Sequence, residues 1–173
     1  MQSKISGTVT HLWVGKAQWQ NYDGRDIFTG AQKNLVDAIT VDVNGACGDE
    51  QGNLKVHGGP EKALLLYTRD DYEQWTRDGY EFGPGNFFEN ITIDELRTSD
   101  IHLADTLHIG EVTVQVSQIR RPCTTLAHRW NMKELPRLVQ STGRSGFYVR
   151  VLTPGTIRTN DPVTLVQREP GSV

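Results

Sequence analysis

The tightest constraint on the fold lies between Thr106 and Cys123. Val112, Val114 and Val116 alternate with Thr113 and Gln115, so three branched apolar side chains share one face of a strand and polar ones the other. Thr106–Ile109 precedes them, and the turn at Gly110-Glu111 makes the two segments a hairpin. The same period of two recurs at Ile39, Val41 and Val43, which are expected on one face of another strand. Residues 63–66 form a short unbroken apolar run, the pattern of a strand buried on both faces. Residues 147–152 and 163–166 read as two more strands. With 17 glycines spread through 173 residues, turns between short strands are well supplied.

Helical signals are fewer. Thr68 is placed to cap a helix through Asp71, Tyr72, Glu73, Gln74 and Trp75, with acidic side chains in its first turn. A second helix is expected over 132–140, with Pro136 in an early turn or as an interruption. Residues 169–173 read as a frayed tail. The expected fold is therefore mostly β with two or three helices, a barrel or closed sheet with helical decoration.

A chain of 173 residues, 36% of them hydrophobic, supports one core and little more, so a single domain is expected. The net charge of -3 provides no whole-molecule field for a nucleic acid polymer. The N-terminal segment has no apolar core of a leader, and the longest apolar run, 63–67, is far too short for a bilayer. The two cysteines, Cys47 and Cys123, form neither a disulfide framework nor a close metal pair. A soluble, cytoplasmic protein with reduced thiols, away from membranes, is expected.

Three segments carry chemistry. In His57-Gly58-Gly59-Pro60-Glu61-Lys62-Ala63 the glycines permit positive φ or close approach to a ligand, next to an imidazole and downstream of Asp49-Glu50. Taken alone, a Gly-Pro turn with a surface histidine is the plainer reading. In Ser117-Gln118-Ile119-Arg120-Arg121-Pro122-Cys123-Thr124-Thr125 the strand ends at a proline, and a thiol follows two arginines. Nearby cations favour thiolate, the form that binds soft metals or attacks; a small buried cysteine beside solvated arginines is the bland alternative. In Gly143-Arg144-Ser145-Gly146, Arg144 could grip a phosphate in forked geometry, and Arg150, further into the strand, could equally make a sheet-edge ion pair. The other histidines lack metal-site spacing, and Trp13, Trp19, Trp75 and Trp130 read as core or interface residues.

Together and in this order these segments resemble the signature segments of MOSC domains of the YiiM type. Phe88-Glu89-Asn90-Ile91 is similar to that family's GENL segment, and Asn160-Asp161 to its closing Gly-Asp turn. Agreement runs from about residue 41 to residue 166 within a single domain over 1–173 whose core spans about 35–168. The resemblance implies a distorted β-barrel and binding of the molybdenum cofactor, a molybdopterin, with Cys123 as metal ligand or sulfur carrier. Members of the family are also associated with pyridoxal phosphate binding. Relatives reduce N-hydroxylated compounds, so the resemblance implies a molybdenum-dependent reductase of small N-hydroxylated substrates, with electrons from a separate donor protein. Cys123 would hold the metal and His57 would donate a proton. Gly58, Gly59, Asn90, Ser117, Gln118, Arg120, Arg121, Thr124 and Arg144 would surround the cofactor. A Cys123 persulfide carrier and a non-catalytic cofactor-binding module stay open beside this reading, as does a homodimer. The chain departs from the family pattern at Phe88, where glycine is usual, and at Ala104 and Asn160, each the first residue of a Gly-Asp-like turn.

Overall fold

A computed structural model describes residues 5–50 and 58–173. β1 (Ser6–Val14) leads into a hairpin of β2 (Gln18–Tyr22) and β3 (Arg25–Thr29), followed by β4 (Asn34–Val36), β5 (Ala38–Asp42) and β6 (Gly45–Ala46). A 3-10 turn at Pro60–Lys62 then opens β7 (Leu64–Thr68), α1 (Arg69–Arg77) and β8 (Ile91–Asp94). After a second 3-10 turn at Thr98–Asp100 come β9 (Thr106–Ile109), β10 (Val112–Ile119), α2 (Thr124–Arg129), α3 (Leu135–Thr142), β11 (Phe147–Thr153), β12 (Gly155–Arg158) and β13 (Pro162–Gln167).

Seven strands close on themselves in the order β13-β9-β10-β11-β7-β8-β1, with β1 pairing back to β13 through Ser6 opposite Thr164. The protein is thus mostly β, a closed barrel with helices outside it, as expected. β1 does triple duty: it also pairs with β8 and, at Leu12, Trp13 and Val14, with β4. A bulge between Val9 and His11 puts both Val9 and Leu12 inside, each 0% exposed. Barrel neighbours among the described residues run antiparallel except β7 and β8, which are parallel and joined through α1.

The period-two reading of 112–116 holds: Val112, Val114 and Val116 face the barrel core, and β9 pairs with β10 across Gly110. β7 is buried on both faces, because Leu64 and Leu66 fill the barrel while Tyr67 joins a second, outer cluster. That cluster packs Tyr72 and Trp75 of α1 with Phe82, Phe87, Leu126 and Leu135. Thr68 caps α1 as expected, its Oγ1 accepting from the Asp71 amide at 3.2 Å. α3 begins later than expected and has Pro136 in its first turn, where the missing N–H costs nothing.

Two expectations need correction. Val43 lies beyond β5 and is 52% exposed, because the Asp42 carboxylate accepts the Asn44 amide and turns the chain there. Residues 169–173 are not loose: the Leu103 amide donates to the Val173 carbonyl at 3.1 Å, and the His102 ring meets the Ser172 hydroxyl. Phe88, Ala104 and Asn160 keep a glycine-like backbone without being glycine, with φ of 69, 68 and 75.

Candidate functional site

The site forms where β10 runs out. Past Ile119 the chain turns at Pro122, and Cys123 stands directly ahead of α2 with extended backbone, φ -107 and ψ 170. Arg120 is 4% exposed. Its backbone amide donates to the Gly146 carbonyl at 3.1 Å and its Nη1 to the Ser145 carbonyl at 3.4 Å, fixing it at the mouth of β11. Its guanidinium lies 6.0 Å from the centre of the Phe88 ring.

Cys123 and Arg120 line one cavity together with Gly58, Asn90, Lys33, Lys62, Asp49, Glu50, Leu65, Phe88, Thr125, Tyr148 and the 29–31 turn. The floor is a buried polar network. Lys33 Nζ meets Asp49 Oδ1 at 2.6 Å, with side chains 8% and 4% exposed, and also donates to the Gly30 carbonyl at 3.1 Å. Asp49 Oδ1 further accepts the Gly15 amide at 2.9 Å. Asn90 Nδ2 donates to Asp49 Oδ2 at 2.8 Å, while Asn90 Oδ1 accepts the Leu65 amide at 3.0 Å. Among the described residues of the wall the cations Lys33, Lys62 and Arg120 outnumber the carboxylates Asp49 and Glu50, which favours an anionic guest. Burial pushes the Tyr148 hydroxyl above its ordinary range, with Arg120 pulling the other way and Cys123 adding to the rise.

The segment carrying Phe88 and Asn90 is tied down from beneath. Glu89 is fully buried and accepts from the Tyr72 hydroxyl at 2.7 Å, the Thr92 hydroxyl at 2.9 Å and the Gly85 amide at 3.1 Å. Burial holds its carboxyl above the usual range, against these hydrogen bonds.

The other residues singled out from sequence fall in different places. Gly58 and Gly59 both have positive φ, 80 and 84; Gly58 lines the cavity and Gly59 opens the exposed 3-10 turn. Ser117, Gln118 and Arg121 line a neighbouring groove of about 540 Å³, which Arg120 shares with the Cys123 cavity. The Ser117 hydroxyl donates to the Glu61 carbonyl. Thr124 is exposed in the first turn of α2. Arg144 is absent from the cavity wall: it pairs with Asp78 at 2.6 Å and lies over the Trp75 ring at 4.8 Å. Arg150 makes an ion pair with Glu61 at 3.3 Å and donates to Gln115, on a strand inside the closed barrel rather than at a sheet edge. His57 lies outside the described residues. Lys33 was invisible to motif reading, because its pairing with Asp49, 16 positions away, follows no local pattern.

A family model described as MOSC domain matches residues 53–164, which hold the strand-end cysteine and most of the barrel. The chain belongs to the MOSC domain family. The uncharacterized protein YflK of Bacillus subtilis is 36% identical over 163 residues, covering 93% of this chain and 74% of YflK. YiiM of Escherichia coli is 38% identical over 125 residues, covering 70% of this chain; this MOSC chain spans only 56% of that protein's length. The crystal structure of YiiM from Geobacillus stearothermophilus superimposes with a TM-score of 0.73 at 31% identity, covering 94% of this chain and 77% of that one. A more distant homologue, 28% identical over 151 residues and covering 84% of this chain, is named a reductase in Gibberella moniliformis; the match covers 27% of it. Among the described residues of this MOSC domain, no helix is long and apolar enough to cross a membrane.

Proposed function

We propose that this MOSC domain binds the molybdenum cofactor through Cys123 and reduces small N-hydroxylated compounds, with electrons from a separate donor protein. One observation supports this above others: in a chain of this family a cysteine lines a cavity whose described wall residues include more cations than carboxylates. The donor set fits the cofactor. A thiolate is the kind of soft ligand that the cofactor's metal would take from the chain, and Cys123 would supply it. Among the described residues no three His, Cys, Asp or Glu side chains gather into a competing metal site.

When bound, the cofactor supplies the two-electron chemistry that converts an N–OH group to N–H with loss of water. The chain's own residues do the rest. Lys33, Lys62 and Arg120 would hold the cofactor's phosphate and balance its charge. Asn90 fixes the floor by hydrogen bonds to Leu65 and Asp49. Ser117, Gln118 and Arg121 offer polar contacts along the adjoining groove. His57, from the glycine segment, is the proton donor in this reading. The name of the distant Gibberella moniliformis homologue supports reductive chemistry.

The test uses protein made in a host that synthesises the cofactor, with bound molybdenum measured by elemental analysis. Given an artificial reductant, it should convert an N-hydroxylated base to its amine. Cys123→Ala should lose metal and activity together. His57→Ala should keep the metal and turn over about a hundredfold more slowly. A variant lacking Cys123 that still holds molybdenum and still reduces would overturn the assignment. A persulfide on Cys123 of the wild type without any reduction would instead make the protein a sulfur carrier.

A further inference from the structure

The groove beside the Cys123 cavity has the size and lining of a ligand site in its own right. It runs past the end of β10, the 98–103 segment and the end of α3, and holds about 540 Å³. Ligand clefts usually hold roughly 300–1,000 Å³. Ile101, Leu103, Val116, Ile119 and Phe147 give it an apolar wall. Leu103 and Ile119 are 41% and 62% exposed, so two large branched side chains stand side by side with water in one concave place. Ile119 sits opposite Phe147 in the β10–β11 ladder, so this wall is fixed by pairing within the barrel.

The charged part of the lining has one sign. Arg120 and Arg121 both line the groove, and among the described residues no Asp or Glu does. Arg121 is exposed and makes no ion pair among the described residues. Arg120, 4% exposed, has no carboxylate partner either; its side chain donates to the Ser145 carbonyl at 3.4 Å. Gln118 and Arg121 belong to the groove and not to the wall around Cys123, so they are left for a guest other than the group bound at the thiol. Cations without counter-ions beside an apolar wall select a molecule that is itself divided, with an apolar body and a negative head.

We infer that the groove binds a small amphiphilic anion, an aromatic or branched body carrying one acid group, with Arg121 selecting the charge. The inference needs neither the metal nor Cys123. For the reductase proposed above, and resting on that reading, the guest is the non-reacting part of the substrate. Its body lies along Leu103 and Ile119 and its acid group meets Arg121, next to the cavity that shares Arg120.

Two probes with one ring system test this on protein without cofactor. 8-Anilinonaphthalene-1-sulfonate carries an acid group, and N-phenyl-1-naphthylamine lacks it. Fluorescence titration gives the affinity of each, and far-ultraviolet circular dichroism checks the fold of every variant. Arg121→Gln should weaken the sulfonate about tenfold, the loss of a charge-assisted hydrogen bond, and the neutral probe less than twofold. Ile119→Ser, at an exposed position, should weaken both probes about threefold or more. Lys62→Gln, in the wall of the Cys123 cavity, should move neither by more than twofold. A wild type that binds neither probe overturns the inference, as does sulfonate affinity within twofold of wild type in folded Arg121→Gln. A tenfold loss in Lys62→Gln would put the probe at the thiol and overturn it too. The titrations use no molybdenum, so a protein that reduces nothing overturns the reductase proposal and leaves the groove's affinity as the separate reading.

Discussion

Asn90 Oδ1 accepts the Leu65 amide at 3.0 Å, while its Nδ2 donates to Asp49 Oδ2 at 2.8 Å and to the Trp13 carbonyl at 3.3 Å. One side-chain amide therefore ties the start of β7, the end of β1 and the buried Lys33–Asp49 pair to the cavity floor. Cutting it back leaves the Leu65 N–H and an Asp49 oxygen buried without that partner. Asn90→Ala should thus cost about 2–4 kcal/mol, as orphaned buried polar groups do. Urea unfolding would measure this, and a loss under about 1 kcal/mol would show that water or rearrangement replaces the amide. Residue-scale features were unevenly legible. Cys123, Arg120 and Asn90 stand in segments whose order resembles a family pattern. The bonds that give Lys33 and Asp49 their place join residues 16 and 41 positions apart, and no local pattern announces such partners.

Among the elements, α1 carries a titratable group in its capped first turn. Burial raises the Asp71 carboxyl from 3.8 to about 6, against hydrogen bonds from Thr98 and the Thr68 cap, with Asp70 adding to the rise. The folded state therefore binds this proton more tightly than the unfolded chain does. The stability contributed by this group is full below pH 3.8 and is lost as pH rises through about 6. Asp71→Asn keeps an oxygen for the Thr98 hydroxyl and cannot ionise. Its stability relative to wild type should climb between pH 4 and 6 and level off above; urea midpoints that differ by a constant across that range would refute the assignment. α1 itself was readable from its cap, and β9–β10 from strict alternation. β1 was not, because its bulge spaces Val9 and Leu12 by three and hides the period of two. The β2–β3 hairpin carried a readable Asp23-Gly24 turn signal, both residues with positive φ, but its exposed Trp19 and Phe28 gave no buried face to find. The six-residue helix α2 is too short for a helical period to show in sequence.

For the whole molecule, the barrel core and the outer aromatic cluster share β7, whose Leu64 and Leu66 belong to one and Tyr67 to the other. Neither can come apart without stripping a wall from its neighbour. Unfolding should be one cooperative step, in which the near-ultraviolet signal of the Trp75 cluster and the far-ultraviolet signal of the strands disappear together. Midpoints in urea separated by more than about half a molar would mean that the helical layer melts alone. The pairing of Ser6 with Thr164 has a further consequence. On a ribosome β1 emerges before the other strands of the barrel and β13 after them, so the 6–9 stretch of β1 must wait with one edge bare while the rest of the barrel is being made. The growing chain is then most open to a holding chaperone, or to mispairing with a copy of itself on the same message.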